Sequence, residues 1–237
     1  MLEPDSQATS GKKIRIITQV LTTALKLWLK AQVSQVSQIE VEIRASDRQI
    51  LSGLIPWVSI FASHAVYQGL HVTQIQLEAE NIRLNVGSVL KGQPLRLLQI
   101  VPVNGEMIVE EKDLNDSLSS ELLSTALNDV LVKLLPEHCP KSKPITWQKI
   151  MLEHKRIILH GNQASECEFK FLEIFFGLEL LNSQQLQLAQ IQIQRQKEAL
   201  LEDNYGYNLD LGSDVDIHEL TLIPGQLVCR GRINVNP

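Results

Sequence analysis

Between Ile39 and Val109 the apolar residues recur mostly at every second position, and this long run of period two limits the fold more than any other feature of the sequence. Ile39, Val41, Ile43 and Ala45 alternate with Glu40, Glu42 and Arg44, the mark of a strand with one wet face. Around residues 54–61 both parities are apolar, which predicts a strand covered on both sides. In residues 70–86 the parity slips: Ile75, Leu77 and Ala79 are odd, whereas Ile82, Leu84 and Val86 are even. A one-residue shift near Glu80–Asn81 predicts a β-bulge or strand break. Gly53, Gly69, Gly87, Gly92 and Gly105 supply turn or bulge positions between these strands.

Two segments carry helical spacing instead. From Lys12 to about Gln35, the side chains of Ile14, Ile16, Ile17, Val20, Leu21, Ala24, Leu25, Leu27, Trp28 and Ala31 fall in one half of the helical wheel. An apolar arc of roughly 180° is wider than a surface helix needs, so this helix is embedded in its own protein or lies partly in something else. Residues 113–135 form the second helical segment, with Asp113 or Ser119 as cap and Leu123, Leu127, Val130, Leu131 and Leu134 on one face. Pro136 closes it, and the stiff polar stretch 136–144 is the expected meeting point of two halves. Residues 147–152, 155–160, 169–181, 185–193, 207–211 and 227–235 again read as strands, and 194–203 as a helix or a loop. Strands, a helix and strands in that order do not make the alternating pattern of a parallel sheet, so an antiparallel α+β architecture is expected. Residues 1–11 read as a disordered lead and 12–237 as a single domain.

The net charge of −5 argues against a general nucleic-acid binder, which needs a basic excess to displace counterions. Cys139, Cys167 and Cys229 form no CxxC and cannot all pair, so free thiols in a reducing compartment are expected. The first residues lack the basic start and apolar core of an export signal, which makes cytoplasmic residence the expectation. The nearest approach to a metal site is Asp214-x-Asp216-x-His218, whose side chains share a face on a strand; an acidic wet face explains it better, and no metal or other cofactor is expected. The chain has no GxSxG, P-loop or GxGxxG, and its paired carboxylates lack the surroundings of a hydrolase site. A non-catalytic protein is therefore expected. The glutamine-rich run 184–196 is read as the wet face of an amphipathic strand.

What remains is apolar surface without chemistry: the first helix, residues 54–61 and residues 169–181. Together they suit a curved sheet that closes over a long helix and leaves an elongated apolar pocket. Residues 46–123 carry Gly53 before a strand, a Tyr67-x-Gly69-Leu70 turn and a strand through Glu78, Asn81 and Arg83. Gly105 then leads a strand into Asp113-Leu114-Asn115 at a helix start. In these features the chain resembles the LmeA-like phospholipid-binding family, across residues 36–135 most closely and 145–236 more loosely. The resemblance implies a cavity for phospholipid acyl chains and supplies no catalytic residues.

The resulting expectation is a strongly curved antiparallel sheet, or sheets, packed around a long N-terminal amphipathic helix and a second central helix. The function expected is non-covalent binding of phospholipid or a similar amphiphile at a membrane surface, with transfer as an extension. A protein–protein adaptor or assembly factor is the alternative. Trp28, Trp57, Phe61, Phe171, Phe175 and Phe176 are the candidate cavity liners, and Arg15, Lys26 and Lys30 the candidate head-group contacts.

Overall fold

A computed structural model describes residues 8–89, 93, 96–135, 145–164, 169–203 and 206–237; the side chains of 8–17, 89, 164, 169–170 and 202–203 are not described. The stretch 136–144, with Cys139, therefore lies outside the described residues, as do Cys167 and residues 1–7. Every strand pairing is antiparallel, as the spacing predicts.

The chain opens with helix α1 (Ala8–Gln32), which begins four residues before the expected start and stops three short of the expected end. Strand β1 (Gln38–Arg44) follows, then a short helix α2 (Asp47–Leu51) that periodicity does not reveal. Ser46 and Gln49 close α2 with a capping box, each side chain satisfying the other's backbone N–H. Strands β2 (Leu54–Tyr67) and β3 (Leu70–Arg83) form a long hairpin, followed by one turn of helix, α3 (Val86–Val89), and strand β4 (Val101–Glu110). The hairpin turns on Gln68 and Gly69, whose φ values of 49° and 80° match the two-residue turn that suits twisted strands. A Cβ on Gly69 would also sit 2.8 Å from that of Ser120, so this position has no room for a side chain.

The predicted parity slip is present. Asn81 takes a φ of 54°, and inward-facing residues change from Ala79 to Ile82 across it. The register pairs Ile55 with Ile82 and Trp57 with Glu80, so Pro56 stands opposite Asn81. Strand β2 slips at the same level, from Ile55 to Val58. Both strands lose one step together, and the register survives the bend.

The helical segment near 113–135 is two helices, α4 (Glu111–Ser117) and α5 (Glu121–Leu134), broken at Leu118–Ser120. Ser120, not Ser119, caps α5 by accepting from the Leu123 N–H at 3.2 Å. Asp113 is not a cap but a buried residue inside α4. Strands β5 (Ile145–Glu153), β6 (Arg156–Ala164), β7 (Phe169–Asn182) and β8 (Gln185–Arg195) follow as a meander. Residues 198–203 form strand β9 (Glu198–Asp203), which pairs back on β8 through a turn at Gln196–Lys197. Both turn residues have positive φ although neither is Gly, Asn or Asp, so the sequence gives little sign of the hairpin. Strands β10 (Tyr207–Asp210), β11 (Val215–Ile223) and β12 (Gln226–Val235) complete the fold.

The first sheet runs β1-β2-β3-β4-β12-β11, and the second runs β10-β8-β7-β6-β5 with β9 on β8. Each has its own helix. Leu21 and Leu25 of α1 pack on Ile43, Ile55, Val58 and Ile82 of the first sheet. Leu123, Leu127, Val130, Leu131 and Leu134 of α5, the face read from the sequence, pack on the second sheet against Ile150, Leu159, Leu172 and Ile193. Trp147 strengthens this layer by donating its indole N–H to Asn128 Oδ1 at 3.1 Å.

Helix α4 and the β11–β12 hairpin join the sheets. The Asn115 amide behaves like a short strand: it accepts from the Ile150 N–H at 2.9 Å and donates to the Ile150 carbonyl at 2.8 Å. Glu111 Oε2 accepts from the Leu152 N–H at 2.8 Å, and Gly225 N–H donates to the Leu152 carbonyl at 2.9 Å. Each bond satisfies backbone of the buried residues Ile150 and Leu152 that would otherwise lack a partner.

Candidate binding groove

Helix α1 covers the inner face of the first sheet without filling it. A groove of about 710 Å³ runs between Leu21, Ala24, Leu25 and Trp28 on the helix and Ile55, Val58, Ile60, Leu77, Ile82, Val101 and Val103 on the sheet. Ile233 and Val235 of β12 close one side, with Leu84 and Leu97 near another. Among the described residues the only charged one along it is Glu78, and its carboxylate belongs to the opposite face of the sheet. There it accepts from Gln76 at 3.4 Å and feels the Arg44 guanidinium, while its neighbours Leu77 and Ala79 face inward. Among the described residues, the groove wall therefore offers no side-chain charge and no catalytic group.

Its rim is also apolar. Trp28 is 58% exposed although it lines the groove, and Ile233 and Val235, also groove liners, are exposed too; Val20 and Leu27 stand exposed elsewhere on α1. Lys26 and Lys30 lie on the same helix, Lys30 in its last turn and exposed, Lys26 half-buried. The Arg15 side chain lies outside the described set.

The outer face of the first sheet is charged and paired. Arg44 stacks its guanidinium 4.0 Å from the Trp57 ring and bonds Glu42, which raises its pKa above the ordinary arginine value. Arg230 bridges Glu106 at 2.9 Å and Glu219 at 2.6 Å, and these hydrogen bonds hold both carboxyls below the usual range. Doubly apolar residues 54–61 thus have the groove on one face, but on the other Trp57 is covered by an arginine rather than by a second layer.

Of the six aromatic candidates, Trp28 lines the groove. Trp57 lies under Arg44 on the outer face, and Phe61 shares its odd parity beyond the slip at Pro56. Phe171, 40% exposed, and Phe175 sit on the second sheet beside His160 and Arg156, at 5.3 and 4.4 Å. Phe176 is buried in the core under α5. The liners that sequence reasoning missed are aliphatic: Ile55, Val58, Ile82, Val101 and Val103. Ile82, Val101 and Val103 were within reach, since Ile82 follows the legible slip at Asn81 and the β4 pair keeps one parity; Ile55 and Val58 flank a step at Pro56 that the alternation does not mark.

Of the Asp214, Asp216 and His218 trio, Asp216 and His218 belong to a surface ion-pair group and Asp214 stands apart from it. Asp216 accepts from Arg232 at 2.8 Å and stands 3.4 Å from His218, while Asp214 accepts from Asn236 at 3.0 Å. A hydrogen bond from Ser183, with His218 next, lowers the Asp216 pKa. Cys229 is a free thiol whose pKa burial raises, the opposite of a reactive cysteine. Among the described residues, no helix is long and apolar enough to cross a membrane.

No curated protein and no solved structure matches the chain. A family model described as LmeA-like phospholipid-binding matches residues 13–232 of the 237. The match begins in α1, takes in both sheets and ends within β12, so it includes the groove's helix and its β2, β3 and β4 walls but stops one residue short of Ile233. The chain belongs to the LmeA-like phospholipid-binding family.

Proposed function

We propose that the protein binds a phospholipid, or a similar amphiphile, non-covalently, with an acyl chain between α1 and the first sheet and the head group near Lys26, Lys30 and Arg15. The observation that carries this reading is the groove itself, apolar and, among the described residues, walled without a side-chain charge. A methylene takes up close to the ~30 Å³ a water occupies in the liquid, so 710 Å³ has room for on the order of twenty of them, one long chain with some to spare. Burial supplies about 0.8 kcal/mol per methylene, and this is reduced where the groove stays open.

The apolar rim and the two lysines fit a protein that loads and unloads at a membrane surface, which is the basis for proposing transfer. Lysines near anionic head groups contribute about 1 kcal/mol each. The uncharged wall also supports a binding role without catalysis. The free thiol Cys229 supports work in a reducing compartment, on the cytoplasmic face of a membrane.

Lipid extraction from the purified full chain, followed by mass spectrometry, tests the reading. One phospholipid recovered per chain, displaced by added phospholipid, is the expected result. A chain that carries no lipid and takes up none from vesicles, yet retains a specific protein through the same apolar rim, would support the adaptor function instead.

A further inference from the structure

A second cavity, of about 370 Å³, is polar where the groove is apolar. It lies toward the turn of the β2–β3 hairpin, between that hairpin, helix α4 and the segment 35–37 that joins α1 to β1. His64, His71, Lys112, Asp113 and Asp116 face it. A ligand atom from each of His71, Asp113 and Asp116 lies within 4.8 Å of the other two.

Asp113 makes this more than a group of surface charges. It is only 9% exposed, and its carboxylate accepts from the neutral Thr73 hydroxyl. Among the described residues no lysine, arginine or histidine forms an ion pair with Asp113 or Asp116. A buried carboxylate without a countercharge is costly, and the ordinary remedies are a cation or a proton. His71 is close enough to share an ion with both carboxylates but forms no direct ion pair with either. Three ligands about 2.0–2.2 Å from one ion lie on average no more than about 3.8 Å apart, so side-chain shifts of up to about 1 Å bring these atoms from within 4.8 Å of one another onto a single ion.

The two elements that present the ligands are fixed independently of any ion. Ser117 Oγ accepts from the His71 N–H at 2.8 Å and donates to the Asp113 carbonyl at 2.7 Å, which holds α4 against β3. Asp113 and Asp116 are three apart and share one face of α4.

We propose that His71, Asp113 and Asp116 form a site for one divalent cation of the zinc or manganese class, with His64 available at the same cavity as a further ligand. One imidazole with two carboxylates suits these ions better than calcium, which takes six to eight oxygens. The ion supplies the charge that Asp113 lacks and clamps α4 to β3 beside the joint between the sheets. The proposal does not depend on the lipid reading.

The test uses the full chain, freed of metal with a chelator and titrated with Zn²⁺, Mn²⁺ and Co²⁺. One equivalent should bind, Co²⁺ should give visible ligand-field bands, and bound metal should raise the melting temperature. Asp116→Asn and His71→Gln, changes at an exposed and a half-buried position, should each weaken binding by at least about tenfold, the smallest usual loss even for partners one step removed from a metal. Asp216→Asn should leave it as it was. No uptake of any of the three ions by the wild-type chain would overturn the site, and so would wild-type affinity in both Asp116→Asn and His71→Gln.

Discussion

Trp28 gives the sharpest prediction because it is half committed to the fold and half open to a ligand. A tryptophan side chain carries roughly 150–250 Å². At 58% exposure about 85 Å² of it is buried against the groove, worth about 2 kcal/mol at 25 cal/mol per Å². In a chain of this length 1 kcal/mol corresponds to about 2–4 °C of melting temperature, so Trp28→Ala should lower it by at most about 4–8 °C. The exposed part offers about 115 Å² to an acyl chain, and covering half of it contributes about 1.5 kcal/mol, or roughly tenfold in affinity. Trp28→Asp should do more on both counts, because it sets a charge against uncharged walls. Binding is read by titration with vesicles, stability by calorimetry, and Trp57→Ala, on the opposite face, serves as the control with unchanged lipid binding. If Trp28→Asp leaves melting and lipid binding as they were, α1 is not a wall of the binding site.

Other consequences follow from charge and from the joint. Reversing Lys26 and Lys30 to Glu should weaken binding to anionic vesicles by about 1 kcal/mol per site, leave neutral vesicles unaffected and barely alter melting. Asn115→Ala strips the Ile150 N–H and carbonyl of their partner; at about 1–2 kcal/mol per group it should lower the melting temperature by roughly 5–15 °C, seen in a thermal scan. The Arg230 pairs hold Glu106 and Glu219 below the ordinary carboxylate value. Their contribution is therefore present above that value and is lost as pH falls through the folded-state pKa values. In a carbon-13 titration both carboxyls should titrate low in the wild-type chain and move back up in Arg230→Gln.

Period and parity carried most of the architecture. Strands β1 to β4, the antiparallel pairing and the apolar face of α5 are legible because one-sided burial writes itself into alternation or helical spacing. The slip at Asn81 was legible for the same reason, and its partner at Pro56 was not. There both parities of β2 are apolar, so nothing in the alternation marks the step. That missing step separates the aromatic candidates from the groove: after Pro56 the inward residues are Val58 and Ile60, which turns Trp57 and Phe61 outward. Strand β9 escaped because Gln196 and Lys197 make a positive-φ turn that is normally written with Gly or Asn. Phe175 and Phe176 show a different limit, since no local pattern says which of two cores an apolar strand will join. The polar cavity joins His71 on β3 to residues some forty positions later on α4, a juxtaposition that only the packing of α4 across the hairpin creates.

The central claim, that an acyl chain lies between α1 and the first sheet, is tested most directly by photocrosslinking. A phospholipid with a diazirine at the end of one acyl chain is loaded into the full chain, irradiated, and the adducts are mapped by peptide mass spectrometry. Adducts should fall on Leu21, Leu25 and Trp28 of α1 and on Ile82, Val101 and Val103 across the groove, and excess unlabelled phospholipid should abolish them. Adducts gathered on the second sheet, around Phe171 and Phe175, with none on α1 would contradict the account.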